Sequence, residues 1–238
     1  MIDTHVEIEV GRKKPVSGVL RGDLAETLVI FVHGLTGHLQ ETLFYNGARY
    51  LGEKGLPTFR YNLYSPLPLV QATLASHAED LDALVPHFRA KGVQQVYVVG
   101  HSYGGAAILV SQKKDFDRIV LWDPTYYGTV RVAERFKEDE PVPGKDEFIV
   151  RDNPDVVIGG PMIREAKELD WDSLGSDVQV PMKVITGGES ILAPDMHRYT
   201  DNARGESLLV TIEGAQHIFA EKELAQDLFR ETADWLLR

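Results

Sequence analysis

Ser102 stands at the centre of Gly100-His101-Ser102-Tyr103-Gly104, a serine with glycines two positions to either side. That spacing suits a nucleophile on a sharp turn, where neighbouring backbone crowds the bend and only a missing Cβ leaves room. A serine hydroxyl is a poor nucleophile at neutral pH, so it needs a histidine to take its proton and a carboxylate to hold that histidine in the right tautomer. His217, in Glu213-Gly214-Ala215-Gln216-His217, is the candidate base. The N–H of Tyr103 would face a developing oxyanion, and the loop His33-Gly34-Leu35-Thr36-Gly37-His38 offers a second backbone donor, assigned to Leu35.

The elements around these residues are the ones such chemistry requires. Val96 to Val99 form a β-branched and aromatic run leading into the glycine–serine turn, and Gly105 to Val110 continue in small and aliphatic residues suited to a helix. Thr27 to Val32 is a continuous apolar run, as expected of a central strand covered on both faces, and it ends at the His33-Gly34 loop. Arg118 to Trp122 and Met182 to Gly187 repeat that pattern, stopping at Asp123-Pro124 and Gly187-Gly188. Leu208 to Ile212 is the last strand; His217 follows it, where the chain returns to the end of the sheet bearing Ser102.

Two strands are predicted at residues 4–10 and 16–20, joined by a basic turn, and a short one at 57–61. Helices are predicted over 40–53, 69–89 and 221–237, the last with Leu224, Leu228, Phe229, Ala233, Leu236 and Leu237 facing inward. Strands alternating with helices, with glycine turns at strand ends, indicate an α/β protein with a mostly parallel sheet. Residues 125–178 break the alternation. They hold a hairpin at Phe148–Arg151 and 156–158 and a short helix over 161–169, and read as a cap over the site, with Tyr126, Tyr127, Phe148, Ile158, Met162 and Ile163 as candidate pocket residues. The division is thus a core at 1–124 and 179–238 with the insertion at 125–178, after the sixth strand.

A chain of 238 residues supports one large domain, and a net charge of −11 disfavours nucleic acid or an anionic membrane as a partner. The absence of cysteine excludes disulfides and thiolate chemistry. His33 and His38 lack helical metal-ligand spacing and an accompanying carboxylate cluster; they read as structural, as does His77, and no metal or cofactor is assigned. No Gly-x-Gly-x-x-Gly follows a strand and no phosphate loop is present. With no signal-peptide pattern and no membrane-length apolar run, a cytoplasmic protein is expected.

Gly100-His101-Ser102-Tyr103-Gly104-Gly105, His33-Gly34 and Gly214-Ala215-Gln216-His217, in this order and on these elements, resemble the α/β-hydrolase superfamily over essentially the whole chain. The His33–Gly37 loop, the segment Gly159-Gly160-Pro161-Met162 and Ile212-Glu213-Gly214-Ala215 are similar to small carboxylesterases of the cinnamoyl and feruloyl esterase group. The resemblance implies an α/β-hydrolase fold and hydrolysis of carboxylic esters with a modest acyl group, aromatic ones included, through an acyl-enzyme and without a cofactor. It also exposes a departure, because Gly187-Gly188-Glu189-Ser190 carries Ser190 where that group usually has its catalytic Asp. Three carboxylates are candidates for the acid. Asp123 comes first, since Leu121-Trp122-Asp123-Pro124 resembles the pancreatic-lipase-like branch, where the acid follows the sixth strand; Glu189 comes second and Asp195 third. A thioesterase or amidase would use the same machinery, and a ligand-binding homologue without chemistry is the rival from another class.

Overall fold

The sheet at the centre of the molecule is fed by strands whose alternate residues enter two separate cores, and the computed structural model describes this for residues 1–128, 140–150 and 155–238. Its strands are β1 (Asp3–Ile8), β2 (Val16–Arg21), β3 (Thr27–Val32), β4 (Thr58–Tyr61), β5 (Gln95–His101), β6 (Arg118–Trp122), β10 (Met182–Gly187) and β11 (Ser207–Ile212). They lie in the order β1-β2-β4-β3-β5-β6-β10-β11. β1 and β2 pair antiparallel, as do β2 and β4, and every other neighbouring pair is parallel.

Period-two alternation explains why the central strands are apolar throughout. Leu28, Ile30 and Val32 of β3, with Val96 and Val98 of β5 and Ile119 and Leu121 of β6, join one core. Val29 and Phe31, Tyr97 and Val99, Val120 and Trp122 join the other. Helices α2 (Leu74–Ala90) and α3 (Tyr103–Val110) cover the first face; α1 (Thr42–Glu53) and α6 (Lys222–Leu236) cover the second. A short α5 (His197–Asn202) lies between β10 and β11.

Helix boundaries shift where capping overrides periodicity. The segment predicted as one helix over 69–89 is a 3₁₀ turn at Leu69–Gln71 followed by α2, because Thr73 caps α2 in a reciprocal box with Ser76: each side chain accepts from the other's backbone N–H. In α6 the inward face is Leu228, Phe229, Thr232, Ala233, Trp235 and Leu236, with Leu237 exposed beyond the helix end. Thr232 is buried because it accepts from the Trp122 indole N–H at 2.8 Å.

Between β6 and β10 a second, antiparallel sheet is built from β7 (Glu140–Pro141), β8 (Glu147–Val150) and β9 (Val156–Gly159), followed by α4 (Gly160–Glu168). Arg151, at the end of the predicted hairpin strand, lies outside the described residues. Glu165 of α4 accepts hydrogen bonds from the backbone N–H groups of Leu74 and Ala75, fastening this segment to the start of α2. Among the described residues no helix is long and apolar enough to cross a membrane, and no group of three or more His, Asp or Glu side chains is placed to hold a metal ion.

Candidate active site

Ser102 sits between β5 and α3 with φ 53° and ψ −123°, a backbone conformation that L-residues rarely adopt. The turn is held from several sides. Ser102 N–H donates to Trp122 C=O at 3.0 Å, and Thr125 N–H donates to Ser102 C=O at 3.0 Å. The flanking glycines are required by contact: a Cβ on Gly104 would lie 2.2 Å from the Val32 carbonyl oxygen, and one on Gly100 would lie 2.8 Å from that of Gly104. The elbow therefore presses against the end of β3, which brings the His33–His38 loop beside the serine.

His217 reaches Ser102 from the loop after β11. Its Nε2 lies 2.9 Å from Ser102 Oγ, and its Nδ1 lies 2.5 Å from Asp123 Oδ2. Asp123 is fully buried at the end of β6. It turns at φ 42°, and its N–H donates to Ile185 C=O on neighbouring β10. Among the described residues no Lys or Arg pairs with its carboxylate, and hydroxyl groups donate to it instead. Thr186 donates its hydroxyl to Oδ1, and Ser190 donates to Oδ2 at 2.5 Å. Burying a carboxylate is costly unless its oxygens are hydrogen-bonded, and these donors supply those bonds.

The structure thus brings Ser102, His217 and Asp123 together and leaves Glu189 outside. The turn after β10 accounts for this. Gly188 N–H donates to Ile212 C=O, Glu189 N–H to Ala215 C=O and Ser190 N–H to Gly187 C=O, which turns Ser190 inward and leaves Glu189 exposed. Asp195 lies further along, in a 3₁₀ turn at Ala193–Asp195, within 3.6 Å of Arg198.

The two predicted oxyanion donors flank the serine. Tyr103 is the first residue of α3, and Leu35 shares the cleft wall with Ser102. Among the described residues neither N–H has a hydrogen-bond acceptor, as is required of donors kept for a ligand. His33 sets the loop: its Nδ1–H donates to Gly34 C=O at 2.8 Å and its Nε2 accepts from Leu63 N–H at 3.1 Å. Burial lowers its pKa to about 4, so it is a neutral strut. His101, also lowered to about 4 by burial and then by His217, donates from Nε2 to the His217 carbonyl at 2.9 Å and steadies the loop that carries the base. His77 packs its ring between Tyr64 and Tyr103 at 5.2 and 5.7 Å and is structural; His38 is exposed, its Nδ1 accepting from Gln40 N–H.

Sequence reasoning missed Thr186 and Thr125, whose hydroxyl lies 3.2 Å from Ser102 Oγ. Neither sits in a motif: Thr186 is placed by the pairing of β10 with β6, and Thr125 by the backbone hydrogen bond that ties it to Ser102. Ser190 was visible as the residue standing where a carboxylate is usual, but not as a partner of Asp123.

The serine opens onto a cleft of about 640 Å³, lined among the described residues by Gly34, Leu35, His101, Ser102, Tyr127 and His217, together with Glu41, Leu43 and the exposed Ile218. Burial raises the Glu41 carboxyl above its ordinary range. On the Leu35–Tyr103 side, Leu74, Met162 and Trp171 enclose a narrow apolar pocket.

The sequence model described as "Alpha/beta hydrolase family" matches residues 29–231. None of the curated proteins matches the chain in sequence. Among solved structures, Est1E from Butyrivibrio proteoclasticus with bound ferulic acid superposes with a TM-score of 0.79 at 18% identity, covering 98% of this chain and 100% of that one. The esterase domain of a Rhodothermus marinus protein gives 0.76 at 17%, covering 99% and 98%. A Paleococcus ferrophilus monoacylglycerol lipase gives 0.73 at 15%, covering 93% and 98%. At these identities the likeness is one of fold.

Proposed function

The chain belongs to the alpha/beta hydrolase family, and from that premise we propose that it is a serine hydrolase of carboxylic esters. The observation that carries the reading is the His217 imidazole, spanning from Ser102 Oγ at 2.9 Å to Asp123 Oδ2 at 2.5 Å. Asp123 accepts from Nδ1–H, which leaves Nε2 unprotonated and facing the serine hydroxyl.

In the reaction Nε2 takes the Ser102 proton as Oγ bonds to the ester carbonyl carbon. The carbonyl oxygen becomes an oxyanion, held by the N–H groups of Leu35 and Tyr103. Nε2–H then protonates the alcohol oxygen, the carbon–oxygen bond breaks and the alcohol leaves. Water attacks the acyl-enzyme by the same route, releasing the acid and restoring Ser102. The described part of the insertion, 125–128, 140–150 and 155–178, serves as the cap over the acyl side of the site, with Tyr127, Met162 and Trp171 on the pocket wall.

Fluorophosphonate labelling of the native protein, located by peptide mass spectrometry and compared with Ser102→Ala, tests the reading. A rapid adduct on Ser102 is expected. A folded protein that forms none would overturn it and favour a binding protein on a hydrolase scaffold.

A further inference from the structure

Beyond the cleft mouth the surface continues into a second depression of about 480 Å³, between the start of α1 and the loop running from β11 into α6. Leu43 and Ile218 line both depressions, so the two meet along that pair. The groove is floored by the buried rings of Phe219 and Phe229 with Ala225 beside them, and its more exposed lining is largely polar, from Thr42, Asn46, Lys222 and Gln226. Ile218, the residue after His217, is 59% exposed, leaving an aliphatic side chain in water beside the catalytic base.

The direction of the chemistry says what enters this groove. The departing alcohol oxygen receives its proton from His217 Nε2, so it lies on the His217 side of Ser102 and its substituent leads away past Ile218. The oxyanion takes the Leu35 and Tyr103 N–H groups, which leaves the acyl substituent the pocket walled by Leu74, Met162 and Trp171. We propose that the groove between α1 and α6 is the alcohol subsite, and that the protein's substrates are esters of extended, uncharged, apolar alcohols. The inference rests on the serine-hydrolase reading and deepens it. Glu41, which lines the same cleft as Ser102 and Ile218, agrees with an uncharged alcohol, since a phosphorylated one would bring its charge into a cleft that holds a carboxyl group.

The test uses straight-chain alkyl acetates from methyl to octyl, followed by proton release. Straight alkyl chains leave the reacting ester electronically alike, so differences along the series report contacts with the alcohol. In the wild type kcat/KM is expected to rise on the order of threefold per added methylene. Ala225→Trp, which fills the groove, and Ile218→Asp, at an exposed position where folding is not at stake, should each lower the octyl-to-methyl ratio at least about tenfold, two or more methylenes' worth of burial. A flat series in an enzyme that turns over methyl acetate through Ser102 overturns the subsite and leaves the hydrolase reading standing. A rise that persists in both variants overturns it as well. No turnover of any ester, together with no fluorophosphonate adduct, overturns the hydrolase reading and the subsite with it.

Discussion

Ser190 Oγ donates to Asp123 Oδ2, the same oxygen that accepts from His217 Nδ1. The residue after β10 thus supports, from the side, a carboxylate that enters from the end of β6. A hydrogen bond to a charged group contributes about 1.5–3 kcal/mol, and its loss frees the carboxylate to rotate away from the imidazole. Ser190→Ala should lower kcat by about tenfold or more with little change in KM. Ser190→Thr, which keeps the hydroxyl, should recover most of the loss; steady-state kinetics on a short ester separates a positioning role from general damage.

The two carboxylates weighed from the sequence part company in mutagenesis. Asp123→Asn leaves His217 without its acceptor and allows the wrong tautomer, so kcat should fall by about 10⁴, as it does where this substitution has been made in another Ser-His-Asp enzyme. Glu189 is exposed and its backbone alone bonds to the Ala215 loop, so Glu189→Gln should stay within about twofold of wild type. Loss of activity in Glu189→Gln with retention in Asp123→Asn would reassign the acid.

Gly104→Ala probes the elbow itself. The added methyl would meet two backbone carbonyl oxygens, of Val32 at 2.2 Å and of His33 at 2.4 Å, neither of which can yield without moving β3. A cost of at least about 3 kcal/mol follows, which lowers Tm by roughly 6–12 °C in a domain of this size. An unchanged melt would show that the elbow is looser than its contacts indicate.

Buried histidines set the response to acid. His33, His77 and His101 are held to about 4, 3 and 4, all below the ordinary histidine value, so the unfolded chain takes up their protons first as pH falls. Stability is full above about pH 6.5 and declines as pH drops from there toward 4. Asp80 works in the opposite direction, because burial raises it to about 6 and the native state takes its proton first. Glu41 and Glu165, also raised by burial, act in the same sense as Asp80, and the three histidines outweigh them at the start of the decline. His77→Phe, which also removes two buried ring nitrogens that have no hydrogen-bond partner among the described residues, should flatten the dependence of Tm on pH by about a third to a half. An unchanged slope would mean that His77 titrates normally.

Glu165 ties the segment between β6 and β10 to the core by capping the first turn of α2. Glu165→Ala should cost about 1–2 kcal/mol, and hydrogen exchange at the Leu74 and Ala75 amides should accelerate more than in the body of α2. Equal protection in the variant would show that Thr73 alone holds that turn.

Much of this was legible in the chain because it depends on local chemistry. The glycine–serine turn declares itself since only glycine tolerates the crowding there, and the strands of the parallel sheet declare themselves since both of their faces are buried. The start of α2 was misjudged by periodicity because the Thr73–Ser76 box, a hydrogen-bonding device, overrides the apolar spacing of Leu69 to Gln71. The sequence by itself determined the nucleophile's turn, the histidine after the last strand and the strand–helix alternation that carries both. It left Asp123, Glu189 and Asp195 in contention, because a carboxylate's reach depends on which way a turn points it. Tertiary structure decided that: the pairing of β6 with β10 and the tight turn at Gly187–Ser190 direct Asp123 and Ser190 inward and Glu189 into water.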